Sequence, residues 1–593
     1  MSDVLFTIDK IDSRSLQAAV ASIMPGEVRN VMVFEGDWGK MAVSENHYCG
    51  FMPYETADYL VVVVGGPLLK QRGNSFIHGS LHPNSQGSEE ILDLFLNQYF
   101  DPGKDLDGPF SLWIVDKKNH QVHMWTDMMS FIPVYQATGP LGTVVGTHVD
   151  AVAETAGTAD QHDTVSQVDF LLHGLVTYPY TMYHDTIQLP PATYHFINHA
   201  GIEDQLPYWQ PMEFDFTTYR DIDETANELK EALMEFVKQV TDETENVAQF
   251  LSGGEDSRVL SALLQSCKDR DAMLFLEKMN REGEIAKKAS DAYDANFKLI
   301  TRDKRMYVDM VPQVSRLAGS GAQYFHVHTY GLHQEHHFDQ YDALFGGLMA
   351  DALLKGSHIR KWKGTHLLPF FPQLKRESFS FSAPFSHTLV SGDTARELQK
   401  RKEDHLAFVR SYRTTSAEEW FELWPASMNV NITNFHGNRR LFRSYEPFMS
   451  HRVVMISART PQSWKLNRRL FQKAVKPFLE PTKHLFHGEG KLPYYPWYVN
   501  LFVHGTIWTG RSMKDKIRPS SYQGPWFEWD KVLNSPEAEG LVENHQDGVA
   551  LLQEGLSKEI RDPLSFYQSS ELNFVQRLNF MQLVTENHRK LNR

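Results

Sequence analysis

The chain has 593 residues, more than one hydrophobic core normally supports, so at least two domains are expected. Its net charge of −15 argues against a nucleic-acid binder and against docking on an anionic membrane. Only two cysteines, Cys49 and Cys267, and no export signal in the first residues indicate a cytoplasmic protein without a disulfide framework.

Short β-like runs separated by turn signals fill the first two hundred residues. One amphipathic helix is predicted over 89–100, which makes a sheet-rich α+β domain the simplest interpretation. A domain boundary is predicted near 205–220, before a helix predicted over 222–240. The predicted strands of this part cover 31–34, 60–64, 110–115 and 122–125.

The stretch 247–264 has the strongest functional signal. An apolar run leads into Ser252-Gly253-Gly254-Glu255-Asp256-Ser257 and then into a helical pattern, which predicts a strand, a tight glycine turn and a helix start. The N–H groups of such a turn suit phosphate oxygens, and Asp256 can hold the Mg²⁺ that accompanies polyphosphate. A capped strand–helix turn would explain a lone glycine pair, but not this whole combination. The motif lacks the Gly-Lys-Ser/Thr of a Walker A loop.

Strand and helix patterns then alternate. Strands are predicted over 272–276 and 298–300 and a helix over 282–295, as in a parallel, doubly wound sheet that binds nucleotide at the carboxyl ends of its strands. A second apolar strand and glycine turn precede Asp351, which a helix cap would also explain. Further helices are predicted over 465–474, 549–556 and 572–584.

The segment from Ser252 to Ser257 resembles the pyrophosphate loop of the asparagine synthetase-like ATP pyrophosphatases. In that family a carboxylate is activated as its acyl-adenylate and then captured by an amine. The resemblance implies ATP and Mg²⁺ as cofactors, with Asp256 and Asp351 as metal ligands. It implies Lys491 as the catalytic lysine, with Lys483 as the alternative. The cofactor-binding residues would be Leu251, Ser252, Gly253, Gly254, Asp256, Ser257, Gly346 and Gly347.

The segment from Leu106 to Phe110, together with the stretch from Asp127 to Tyr135, resembles the glutaminase domain of the same family. This implies an Ntn-hydrolase-like α+β domain over 1–210 and an α/β synthetase domain with an extended tail over 211–593. Glutaminase chemistry needs an N-terminal cysteine, and this chain has Ser2 there. We therefore expect a glutaminase relic, although Ser2 as a hydroxyl nucleophile remains an alternative. Leu348 stands where asparagine synthetases carry a glutamate.

The resemblance implies an amide-forming synthetase of the glutaminase-inactive kind. Relatives of this kind include β-lactam synthetases, which close a ring within one amino-acid derivative, and lasso-peptide cyclases. We expect an amino-acid-like carboxylate or a short peptide as substrate, in specialised metabolite (antibiotic-type) biosynthesis, with no nucleic-acid or membrane partner. An intermolecular ligase, an ammonia-dependent amidotransferase, a non-catalytic scaffold and a homodimeric assembly remain open.

Overall fold

A computed structural model describes residues 3–25, 30–45, 47–70, 84–213, 221–242, 244–362, 373–375, 389–488, 490–496, 498–500 and 528–592. The first part of the chain is rich in antiparallel strands. They are β1 Val4–Thr7, β2 Val31–Gly36, β3 Gly39–Ser44, β4 Tyr54–Glu55, β5 Tyr59–Gly65, β6 Leu68–Leu69, β7 Leu106–Asp107, β8 Phe110–Asp116, β9 Gln121–Thr126, β10 Tyr135–Gly139, β11 Gly142–Gly146, β12 Thr186–Gln188, β13 Thr193–Asn198 and β14 Gly201–Pro207.

These strands build two six-stranded antiparallel sheets, in the orders β12-β10-β11-β1-β3-β2 and β14-β13-β9-β8-β5-β4. Apolar residues of the two sheets share one core, and the rings of Phe6 and Trp113 lie 6.0 Å apart across it. The helices of this part are α1 Ser13–Ala21, α2 Gln86–Leu96, α3 Pro102–Asp105, α4 Val149–Ala156 and α5 Thr164–His173. Helices α1 and α4 pack on the first sheet, and α2 packs on the second.

The four predicted strands of this part are confirmed, and the domain is sheet-rich as expected. The predicted helix over 89–100 is displaced, since α2 begins at Gln86 and ends at Leu96. It ends early because Gln98 has a φ of 58°, a left-handed conformation that a continuing α-helix does not allow.

The second part of the chain is built on a parallel sheet, as predicted. Its strands are β15 Val247–Phe250, β16 Asp271–Leu276, β17 Asn296–Thr301, β18 Ala343–Phe345 and β19 Ser444–Tyr445. The order β17-β16-β15-β18-β19 runs outward in both directions from β15, so the topological switch point lies between β15 and β18. Both faces are covered, because Val247 and Ala248 belong to different apolar clusters.

Helices surround this sheet. The α-helices are α6 Ile222–Thr241, α7 Glu255–Leu263, α8 Arg281–Ala292, α9 Met306–Asp309, α10 Val311–Ala318, α11 Leu332–Glu335, α12 Ala350–Leu354, α13 Gly392–Arg410, α14 Ala417–Trp420, α15 Ile432–Leu441, α16 His451–Arg459, α17 Gln462–Lys465, α18 Arg469–Val475, α19 Trp529–Leu533, α20 Pro536–Asn544, α21 Pro563–Gln568 and α22 Phe574–Leu591. Short 3₁₀ helices cover Tyr324–His326, Phe338–Gln340, Ala426–Met428, Pro447–Met449, Leu466–Arg468, Lys476–Thr482, Gln546–Val549 and Gln553–Gly555.

Two helix predictions in this part need correction. The helix predicted over 465–474 is interrupted, because Asn467 and Arg468 adopt left-handed φ values of 55° and 59° between α17 and α18. The segment 549–556 forms turns and short 3₁₀ helices in place of an α-helix, and Gly548 before it and Gly555 within it lie tight against neighbouring helices. The predicted helix over 572–584 is present and extends to Leu591.

The C-terminal helix α22 packs against both parts of the chain. Asn579 Nδ2 donates to the carbonyl oxygens of Phe170 and Leu171 in α5, at 2.9 and 3.2 Å. Gln582 Oε1 accepts the N–H of Tyr324, and its Nε2 donates to Ala322 O. The tail of the predicted second domain thus contributes to the packing of the first. Among the residues that the structure describes, no helix has the length and apolarity needed to cross a membrane.

Candidate active site at the carboxyl edge of the parallel sheet

The turn after β15 has the geometry of an anion-binding loop. Ser252, Gly253 and Gly254 connect the strand to α7, and Gly254 is the residue that precedes the helix. The hydroxyl oxygens of Ser252 and Ser257 lie 3.2 Å apart, and the N–H of Gly254 donates to Ser252 Oγ at 3.1 Å. Backbone N–H groups, two hydroxyls and the positive end of a helix dipole therefore converge at the switch point of the sheet.

A carboxylate already interacts with this loop. The N–H of Gly253 donates to Glu282 Oε1 at 2.7 Å, and Glu282 lies in the first turn of α8. Glu282 is buried, and a side chain on Gly253 would collide with it. The loop thus accepts a negative group at its first glycine, as an anion-binding loop should. The neighbouring Glu284 is exposed, as expected for a residue on the solvent face of the helix.

The ammonium group of Lys355 lies among three carboxylates, where the turn after β15 meets the turn after β18. Its Nζ is 2.5 Å from Asp256 Oδ1, 2.9 Å from Asp351 Oδ1 and 3.1 Å from Glu255 Oε1. Arg468 forms a second ion pair with Glu255. Burial raises the pKa of Asp256, with further upward contributions from Asp351 and Glu255. Burial would lower the pKa of Lys355, but the three carboxylates outweigh it and raise that pKa.

The second glycine turn lies directly beside the first. A Cβ on Gly347 would be 3.4 Å from the Cβ of Asp256, so the two loops touch. Gly346 faces the buried carboxyl of Glu446, whose Oε2 accepts the N–H of Leu348 at 2.9 Å. Burial raises the pKa of Glu446 to about 8. Sequence reasoning missed this carboxyl, which lies beside Leu348.

Arg258 ties the anion-binding loop to the segment that precedes Lys491. Its guanidinium donates to Gly253 O at 2.9 Å, to Leu485 O at 2.9 Å and to Phe486 O at 2.8 Å. The arginine is fully buried, and burial lowers its pKa to about 10. It fixes the distance between the two segments because one planar group serves carbonyls of both.

The structure brings most of the predicted residues together. Asp256 and Asp351 meet at Lys355, Gly347 lies against Asp256, and Leu251 is buried at the end of β15. The loop of Lys491 is tied to the site by Arg258, and Lys491 O accepts the N–H of His487. Lys483 forms an ion pair with Glu480 instead. Ser2 lies outside the described residues. The roles of these residues remain predictions.

The two aspartates were predicted to hold Mg²⁺, which stays a prediction, and the structure places a cation of the chain itself against both of them. Mg²⁺ requires oxygen ligands at about 2.0–2.1 Å in octahedral geometry. The ammonium of Lys355 lies within hydrogen-bond distance of both carboxylates, in the position that a bridging ion would need. Among the described residues, no group of three or more His, Cys, Asp or Glu side chains is arranged to hold a metal ion.

Two family models match the chain. The model described as asparagine synthase matches residues 228–485, and the model described as glutamine amidotransferase domain matches residues 78–209. The first match covers all five strands of the parallel sheet, and it includes Ser252 to Ser257 and Asp351. The second begins after the position of Ser2. No curated protein matches the chain.

Two solved structures are similar to part of the chain, both at TM-scores too low to establish a common fold. One is the allosteric regulatory enzyme of purine biosynthesis, with 9% identity and a TM-score of 0.26 over 50% of this chain and 80% of that one. The other is glutamine phosphoribosylpyrophosphate amidotransferase from B. subtilis, with 11% identity and a TM-score of 0.24 over 50% of this chain and 65% of that one. The chain is thus similar to a glutamine amidotransferase domain over residues 78–209 and to an asparagine synthase domain over residues 228–485.

Proposed function

We propose that this protein is an ATP-dependent carbon–nitrogen ligase. In the first step, a carboxylate oxygen of the substrate attacks the α-phosphate of ATP, which forms an acyl-adenylate and releases pyrophosphate. In the second step, an amine attacks the acyl carbon, which forms an amide and releases AMP. The proposal is supported by the asparagine synthase match over 228–485.

The observation that carries the proposal is the anion-binding loop at the switch point of the parallel sheet. Ser252, Gly253, Gly254 and Ser257 form a cradle for the leaving pyrophosphate, and Gly253 already donates its N–H to a carboxylate. Leu251, Gly346 and Gly347 would lie on the nucleotide side of the same site. Lys491, whose segment Arg258 ties to the loop, would stabilise the negative charge that develops at the α-phosphate.

The amine source is proposed to be the substrate itself or a second amino compound. The family resemblance places Ser2 at the position of the glutaminase cysteine and Leu348 at the position of the glutamate of asparagine synthetases. These differences favour ring closure within one amino-acid derivative, as in β-lactam synthetases. Ring closure within a peptide, as in lasso-peptide cyclases, is the alternative.

A non-catalytic scaffold is the second candidate, and a specific observation favours it. Asp256 and Asp351 are paired with Lys355, and the N–H of Gly253 is paired with Glu282. These three groups of the described site therefore have partners within the chain. A protein that had lost its ligand would show the same internal pairing.

ATP–pyrophosphate exchange separates these candidates. We expect the wild type to exchange labelled pyrophosphate into ATP with one pool of amino-acid-like carboxylates or short peptides. The Asp256→Ala variant should lose this exchange, because Asp256 lies in the first turn of the helix that begins at the loop. Mass spectrometry of the product would then show loss of one water if a ring forms. Absence of ATP binding in the wild type would exclude the ligase.

Replacing Glu282 by glutamine is expected to tighten the binding of inorganic pyrophosphate about tenfold. The carboxylate of Glu282 competes with a phosphate for the N–H of Gly253, and its charge repels the incoming anion. Calorimetric titration with pyrophosphate measures this effect. Glu284→Gln is the matched control, since that residue is exposed on the same helix. Equal affinities for the wild type and Glu282→Gln would show that Glu282 does not compete with the ligand.

A further inference from the structure

The ammonium of Lys355 places a positive charge where the turn after β15 and the turn after β18 meet. It follows α12 directly and lies four residues after Asp351, while Glu255 and Asp256 begin α7. The ammonium therefore joins carboxylates from two separate segments, and only one of its three contacts lies at the short spacing of a helix-surface pair.

This ammonium is enclosed by the protein. The side chain of Lys355 is 8% exposed, and its Nζ lies 4.9 Å from the centre of the Phe471 ring, which adds a cation–π contact. Asp256 is 18% exposed and Glu255 is 4% exposed, whereas Asp351 is 74% exposed. One side of the cluster is thus open at Asp351, and the cation lies just inside it.

The charges near Lys355 are almost balanced without any added ion. Three carboxylates, from Glu255, Asp256 and Asp351, face two cations, from Lys355 and Arg468. A divalent ion between Asp256 and Asp351 would place two positive charges against a buried ammonium. That repulsion in a partly buried site would cost far more than the same contact in water.

We propose that Lys355 is a built-in cation of this site, and that its ammonium takes the place of a divalent ion between Asp256 and Asp351. The class of ligand, a nucleoside triphosphate whose phosphate groups meet this charge, rests on the proposed ligase function. An ammonium is a compact point charge with three donors, and it binds phosphate oxygens as well as carboxylates.

The test measures Mn²⁺ binding to the full chain without nucleotide, by electron paramagnetic resonance of the free ion. The wild type is expected to show no Mn²⁺ binding that depends on Asp256. Lys355→Met should gain one bound Mn²⁺ per chain, and Lys355→Met/Asp256→Asn should lose it again. Lys287→Met is the control, because Lys287 forms an exposed ion pair with Asp291 at the same four-residue spacing.

Two results would overturn the inference. One is Mn²⁺ binding by the wild type that Asp256→Asn abolishes, and the other is a folded Lys355→Met that gains no Mn²⁺. If Lys355→Met does not fold, the double variant Lys355→Gln/Glu255→Gln is used instead. It removes one charge of each sign, and it is also expected to gain one bound Mn²⁺ per chain. Folding of each variant is checked by circular dichroism before titration.

A second titration separates this inference from the ligase proposal. The wild type should bind ATP in the presence of a chelator about as tightly as with Mg²⁺. Lys355→Met should bind it about tenfold more weakly with the chelator and recover with Mg²⁺. ATP binding by the wild type only with Mg²⁺ would overturn the inference. No ATP binding under either condition would refute the ligase proposal and leave the Mn²⁺ result to decide the role of Lys355.

Discussion

Replacing Arg258 by lysine is expected to lower kcat of ATP–pyrophosphate exchange by about 100-fold, with a smaller change in the KM for ATP. The guanidinium serves the carbonyl of Gly253 in the anion-binding loop and the carbonyls of Leu485 and Phe486 at once. A single ammonium on a shorter side chain cannot hold all three. The loop and the segment that carries Lys491 would then lose their fixed separation, and misplacement by about 1 Å costs roughly this factor.

Arg270 provides the matched control for this experiment. It is also buried, and it donates to the carbonyls of Ser261, Cys267 and Tyr293. It precedes β16, so it lies at the amino edge of the sheet, away from the loop. Arg270→Lys should lower stability without slowing exchange per folded molecule. Equal loss of exchange in both variants would show a general packing effect and contradict the positioning role of Arg258.

Asp3→Ala is expected to destabilise the protein by about 3–5 kcal/mol. The carboxylate of Asp3 is buried at the start of β1 and accepts Nε and Nη2 of Arg440 in α15, both at 2.8 Å. Arg439 lies 3.4 Å away, and Thr147 donates its hydroxyl to Oδ1. Asp3 belongs to the first part of the chain and the two arginines belong to the second. Removal of the carboxylate leaves both buried guanidinium groups without its negative charge. Urea denaturation measures the loss.

The effect of Asp3 should depend on pH. Burial opposes its ionisation, but Arg440 and Arg439 outweigh burial and hold the pKa of Asp3 well below its ordinary value of 3.8. Its contribution is therefore complete above about pH 4 and decreases as the pH falls further. The difference between wild type and Asp3→Ala should shrink below that pH. Asp185→Ala, at an exposed position, should change stability little at any pH. A constant difference would show that the charge of Asp3 is not responsible.

Local patterns allowed the sequence to predict the parallel sheet and its loop. Val247 to Leu251 is apolar, and the glycine pair follows at once, so strand, turn and helix are encoded within about fifteen residues. The meeting of Asp256 and Asp351 was also predictable, because the carboxyl ends of parallel strands share one edge of the sheet.

Partners distant in the sequence could not be predicted in the same way. Glu282 is 29 residues from Gly253, and no local pattern distinguishes it from the exposed Glu284. Arg258 differs from a surface arginine because it donates to carbonyl oxygens that lie 227 and 228 residues further along the sequence. Lys355 did leave a signal, its four-residue spacing from Asp351, but the same spacing occurs in exposed pairs such as Lys287 and Asp291.

The buried amides of α22 limit how the two parts of the chain can move. Asn579, Gln582 and Asn587 are almost wholly buried, and they bond to groups of α5 and to the segment that follows α10. A hinge-like separation would exchange these hydrogen bonds for bonds to water, at a net cost of about 0.5–1.5 kcal/mol each. Domain opening is therefore disfavoured, and amide protons of both parts should exchange with solvent as one cooperative unit.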